Sequence, residues 1–217
     1  MKNHADGGER EYAAWRATLT SLHAWAWWLL NRCEGLPPRL GCGTPEVGVP
    51  RIRLWYDGMS FGGGNPSTLT IFEPWDTEAE VCTVREAVWN REEDYEGLYE
   101  TVQRSGTPVH KQPTIAVRDG VLGRNEYVER LQAITEAAPP ALTFERGGVV
   151  NTDVGSVGFE YLSKDQPAAS FRLGWSLDRP DLWEPIIQAV DDFREFVVRS
   201  LDDTNNQQGS GGNGEVG

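Results

Sequence analysis

The sequence predicts an α+β fold: a mostly antiparallel sheet packed against about four helices, followed by a disordered C-terminal tail. Segments with helical spacing of apolar residues are interspersed with short segments in which apolar and polar residues alternate. The alternating segments are separated by Gly, Pro or polar stretches, as hairpins are. After Asp203 the chain turns to Asn, Gln, Gly and Ser, with almost nothing apolar to bury. A single globular domain over 1–203 and a tail over 204–217 follow from this, and 217 residues suit one hydrophobic core.

Tyr12 to Cys33 has the spacing of a helix, with Trp15, Leu19, Leu22, Ala26, Leu29 and Cys33 as its buried face and Trp25 and Trp28 widening it. Trp27 falls on the other side with Arg16, Thr20 and His23. Gly35, Pro37 and Pro38 stop the helix, and Leu36 to Pro50 is a loop. Arg51 to Asp57 alternates through Ile52, Leu54 and Tyr56, and Thr68 to Phe72 through Leu69 and Ile71, so Gly58 to Ser67 closes a hairpin.

Thr77 to Arg104 reads as a helix on Val81, Val84, Val88, Tyr95, Leu98 and Val102, capped by Asp76 or Thr77; Gly97 makes two shorter helices the alternative. Thr114 to Val117 is a strand, Asp119-Gly120 a turn, and Asn125 to Ala138 a helix burying Tyr127, Leu131, Ile134 and Ala138. Ala141 to Glu145, Ser156 to Leu162 and Ser170 to Ser176 alternate again. The last two satisfy one antiparallel register throughout: Val157 opposite Trp175, Phe159 opposite Leu173 and Tyr161 opposite Phe171, with Glu160 and Arg172 as an ion pair on the other face. Asp181 and Glu184 form a capping box for a final helix that buries Ile186, Val190, Phe193, Val197 and Leu201. The long helices are expected on one face of the sheet.

The longest apolar stretch, Ala24 to Leu30, is far short of the ~20 residues of a membrane-spanning helix, and Met1 to Arg10 lacks the features of a signal peptide. Three cysteines, Cys33, Cys42 and Cys82, are an odd set and read as reduced thiols. A soluble, cytoplasmic protein is therefore expected. A net charge of −13 repels phosphate backbones, so nucleic-acid binding is disfavoured and a protein partner with a basic surface is expected. The charge is concentrated: Glu73 to Glu100 holds ten acids and two arginines, and Asp178 to Asp203 eight acids and three arginines.

Candidate chemistry is sparse. Gly58 to Ser67 contains Phe61, Gly62, Gly63 and Gly64, whose backbone amides suit an anion, but no Gly-Lys-Ser/Thr follows and the flanks are strands. A small-molecule sensor would use this loop. His4, His23 and His110 are scattered, and the cysteines lack zinc-ligand spacing. Asp57, Glu73 and Asp76, at strand ends, are the metal or acid/base set that a hydrolase or nuclease would need. Trp15, Trp25, Trp28, Trp175 and Trp183 fit buried patterns, and Trp27, Trp55 and Trp75 are the surface candidates. The preferred reading is a non-catalytic accessory, regulatory or inhibitor-type protein without a cofactor. It binds a macromolecule through acidic helical surfaces, with Glu92, Glu93, Asp94 and Glu96 as contact residues.

Overall fold

Alternating apolar side chains assemble β1 (Val49–Tyr56), β2 (Ser67–Glu73), β3 (Val81–Trp89), β4 (Ile115–Gly123), β5 (Val157–Tyr161) and β6 (Phe171–Trp175) into one antiparallel sheet, ordered β4-β3-β2-β1-β5-β6. The computed structural model describes residues 4–31, 48–58, 64–74, 76, 78–137, 157–161, 171–175 and 181–210; the side chains of 4–7, 171, 172, 182 and 205–210 are not included. Helices α1 (His4–Asn31), α2 (Arg91–Tyr95), α3 (Leu98–Ser105), α4 (Arg124–Ala137) and α5 (Glu184–Ser210) complete an α+β architecture.

The helices lie on both faces, not one. Along β3, Cys82 and Val84 point into a core closed by α4 and α5, whereas Ala87 and Trp89 point into a second core closed by α1 and α3. The first core takes Ile52, Leu54, Leu69, Ile71, Phe159 and Leu173 from the sheet, and Ile186, Ile187, Val190, Phe193, Val197 and Leu201 from α5. The expected stripe of the final helix is thus fully buried, at roughly 1.5–3 kcal/mol for each large side chain. Its helix runs on past Asp203 to Ser210; 211–217 lie outside the described residues.

The hairpin β1–β2 and the β5–β6 register form as expected, with Val157 opposite Trp175, Phe159 opposite Leu173 and Glu160 opposite Arg172. Glu160 pairs with Arg53 of β1 at 3.5 Å; the Arg172 side chain, with which an ion pair was expected, lies outside the described residues. The strand expected over 141–145 lies outside the described residues.

Three expectations are corrected. Thr77 to Arg104 is not one helix: Val81–Trp89 is a strand, and only α2 and α3 are helical. Val81, Val84 and Val88 fit helical spacing, but a central strand covered on both faces carries apolar residues on both sides and loses its alternation. Asp119-Gly120 is not a turn but lies inside β4, where Asp119 accepts two hydrogen bonds from buried Arg85 at 2.7 and 3.0 Å. Gly120 has no side chain there, which lets Leu201 of α5 reach the strand. On α1, Leu22 and Ala26 are buried as expected, but Ala14, Thr18 and Leu30 complete the buried face in place of Trp15, Leu19 and Leu29, which are half-buried. Its small residues let the helix approach the sheet closely, and the tryptophans flank the contact; Trp28 is 51% exposed.

Gly97 and Gly106, at φ of 68° and 61°, bracket α3. A methyl group at Gly97 would meet nothing within 4 Å. Gly97→Ala is therefore expected to cost about 1 kcal/mol through backbone strain alone, read as a small shift in the urea midpoint.

Candidate functional site

The α2–α3 segment brings the expected acidic contact residues together, and the sequence immediately before it explains how they are held. β3 ends in Trp89, whose indole is fully buried, and Asn90 N–H donates to Thr114 O at 2.9 Å. The chain then turns through α2, which carries Asp94, and breaks at Gly97 before α3, whose Leu98 and Val102 are buried against α1. Asp94 is buried with them, at 0% exposure.

Its carboxylate is fully used. Oδ2 accepts from Trp89 Nε1–H at 2.6 Å and from Thr114 N–H at 2.8 Å, and Oδ1 accepts from the Thr114 hydroxyl at 2.8 Å. The Lys111 ammonium stands 3.5 Å from Oδ1 and donates to the Asp94 and Glu93 carbonyls at 2.8 and 3.2 Å. Burial pushes the Asp94 carboxyl upward, but the Thr114 amide, the Trp89 and Thr114 side-chain donors and Lys111 together outweigh it and hold the group below the usual carboxylate range. Asp94 is therefore corrected from a surface contact to the base of the segment.

Around this base, Glu92, Glu93 and Glu96 are exposed, and none is in an ion pair among the described residues. Glu100, also exposed, pairs with Arg104 at 3.0 Å. Tyr99 is 53% exposed and stands edge-on to Trp15 of α1, with centroids 5.4 Å apart. Tyr12, at 62% exposure, lies on the same helix as Trp15. The surface thus combines a braced aromatic ring with carboxylates that form no ion pair among the described residues, although Glu93 accepts from Asn90 Nδ2–H at 3.4 Å. In contrast, several acids of α5 have partners: Asp192 accepts from Gln188 at 2.8 Å, Glu195 pairs with Arg199, and Asp202 with Arg118.

The acidic stretch Glu73 to Glu100 is accordingly not one helical surface. Glu73 pairs with Arg51 at 3.0 Å and accepts from the Tyr127 hydroxyl at 3.3 Å, and Glu86 pairs with Arg118. Burial, followed by the charge of Glu73, raises the Tyr127 phenol far above its ordinary value, and pushes the Cys82 thiol to about 11 against the opposing pull of Arg124. Both groups stay neutral and structural.

The metal set does not form. In an antiparallel hairpin the end of the first strand and the end of the second are at opposite ends. Asp57 follows Tyr56, which faces Ser67, whereas Glu73 faces Val49; six residues of strand separate the two levels, roughly 20 Å at ~3.3 Å per residue. Asp76 is exposed and accepts from Glu78 N–H at 2.9 Å. Among the described residues no group of three His, Cys, Asp or Glu could hold a metal. An open depression of about 620 Å³ at the start of α4 is lined by Glu78, Glu80, Arg124 and Glu126, and Arg124 N–H is tied to Glu80 O at 2.8 Å.

Of the tryptophan candidates, Trp27 is partly buried against the α1-side core, so it is corrected from the outward face. The Trp55 ring lies across Gly158, and Trp75 lies outside the described residues. Phe61, Gly62 and Gly63 also lie outside them; Gly64 is described, and Arg91 Nη2 donates to its carbonyl at 3.3 Å and to that of Gly58 at 3.2 Å. No helix among the described residues is long and apolar enough to cross a membrane.

The acids of α2–α3 were visible in the sequence as a run, but which of them is buried was not. His23, assigned to the outer side of α1, hydrogen-bonds the Tyr95 hydroxyl and stands edge-on to Trp89 at 4.9 Å. Nothing local in the sequence links it to residues 72 positions away. The chain matches no family profile, no curated protein and no solved structure.

Proposed function

We propose that the chain is a non-catalytic, cytoplasmic accessory, regulatory or inhibitor-type protein that docks a basic protein partner on the exposed side of α2–α3. The observation that carries this is the split within one segment. Asp94 is buried and fixed by four groups, while Glu92, Glu93 and Glu96 stand exposed with no ion pair among the described residues, in the segment that also exposes Tyr99. Carboxylates held on a fixed base lose little freedom on binding, and a half-exposed, braced tyrosine supplies contact area at low entropic cost. The net charge of −13 adds long-range attraction for a cationic protein and repulsion for nucleic acid.

The test is affinity purification from the native cell with the wild type and with Glu92→Gln/Glu93→Gln/Glu96→Gln. The triple variant is expected to weaken partner retention roughly ten-fold, as loss of several exposed charge pairs does. Its folding free energy in urea denaturation should stay within about 0.5 kcal/mol of the wild type, since the three side chains are on the surface. Unchanged retention of every partner would exclude the surface.

A further inference from the structure

We propose that His23 is a proton-sensitive contact that couples the charge at the α1–α2 junction to the hydrogen bonds by which Arg91 holds Gly58 and Gly64 together. This goes beyond the docking surface and depends on no partner. His23 reaches from α1 to the Tyr95 hydroxyl of α2 and packs edge-on against Trp89 of β3. The charged and titratable groups on this side are few. Tyr95 meets the ring from α2, and Arg91 stands one turn earlier on the same helix; Asp94 sits behind the Trp89 indole N–H, and Lys111 is held on Asp94.

Arg91 is the connecting element. Its backbone N–H donates to Asn65 Oδ1 at 3.2 Å, and its guanidinium donates to the Gly58 and Gly64 carbonyls at 3.2 and 3.3 Å. Both bonds start on the charged guanidinium and lie at the long end of the normal range, so a second positive charge beside Arg91 acts on them directly. Burial, then the charge of Arg91, holds His23 below the ordinary histidine value, so the ring is neutral near pH 7. Protonation places a second cation beside Arg91. It also makes the imidazole a donor at both nitrogens, so the Tyr95 hydroxyl must turn its own proton away. The bonds to Gly58 and Gly64 then loosen.

The test is an NMR titration of the full chain between pH 8 and about pH 5, the range in which histidine changes charge. His23 should titrate below the ordinary histidine value, and the amide signals of Gly58, Gly64 and Asn65 should follow the same midpoint. In His23→Gln those signals should become flat. In Arg91→Gln, a variant that keeps the sensor, the His23 midpoint should move up while Gly58 and Gly64 stop responding. His110→Gln should change neither. The proposal is overturned if Gly58 and Gly64 do not follow His23, if they still titrate in His23→Gln, or if Arg91→Gln leaves the His23 midpoint in place. Should His23→Gln fail to fold, the Arg91→Gln outcome decides alone.

Discussion

Asp94→Ala is expected to lose about 3–5 kcal/mol of folding free energy in urea denaturation, because it leaves three donors without their acceptor at about 1–3 kcal/mol each. The carboxylate is wholly buried and accepts hydrogen bonds from Trp89 and Thr114. Alanine leaves the indole N–H, the Thr114 N–H and the Thr114 hydroxyl without their acceptor, and Lys111 without its counter-charge. Asp94→Asn keeps the shape but turns an NH₂ toward these donors, so an intermediate loss is expected. Glu93→Ala, one residue away and exposed, should stay within about 0.5 kcal/mol. The effect also has a pH signature. Because the folded carboxyl lies below its ordinary value, its contribution is fully present above the unfolded value of about 4 and is lost as pH falls through the folded one. The gap between wild type and Asp94→Asn should therefore close in acid and stay constant at neutral pH.

Gly158→Ala is expected to cost about 1–3 kcal/mol, the range for forcing extra volume into a packed site. A methyl group there would stand 1.9 Å from Cζ2 of Trp55 and 2.3 and 2.4 Å from two further ring atoms, so the whole indole must move. Trp55 is a neighbour on the adjacent strand, directly opposite Gly158. Combining Gly158→Ala with Trp55→Ala should remove the clash, giving a coupling of roughly 0.5–3 kcal/mol between the two substitutions. Gly174→Ala, where the same ring lies at 3.4 Å, is in ordinary contact and should be nearly neutral. Additive losses at Gly158 and Trp55 would show that the ring does not lie on that glycine.

Where one face of a strand or helix is buried and the other is not, the sequence was readable. β5 and β6 alternate cleanly and their register follows residue by residue; α5 shows its stripe from Ile186 to Leu201. Where both faces are covered, the pattern disappears. β3 carries Cys82 and Val84 on one side and Ala87 and Trp89 on the other, and its valines imitate a helix; only the β-branched run Val81, Thr83, Val84 and Val88 pointed to a strand. The alternating charges Arg85-Glu86 and Arg118-Asp119 now explain the β3–β4 register, pairing Arg85 with Asp119 and Glu86 with Arg118. In α1, four tryptophans surround a face made of small residues, so the largest side chains misdirect the choice of face. At the candidate site, Glu92, Glu93 and Glu96 differ from Asp94 only through position. What buries Asp94 is its contact with Trp89 and with Thr114, twenty residues on, which no local pattern announces.

Two variants of equal net charge separate a local docking surface from bulk acidity. One is Glu92→Gln/Glu93→Gln/Glu96→Gln; the other neutralises three exposed acids of α5 as Asp192→Asn/Glu195→Gln/Asp203→Asn. Partner affinity should fall roughly ten-fold in the first, with a weaker salt dependence, and change little in the second. Equal losses in the two variants, or none in either, would contradict a docking surface on α2–α3.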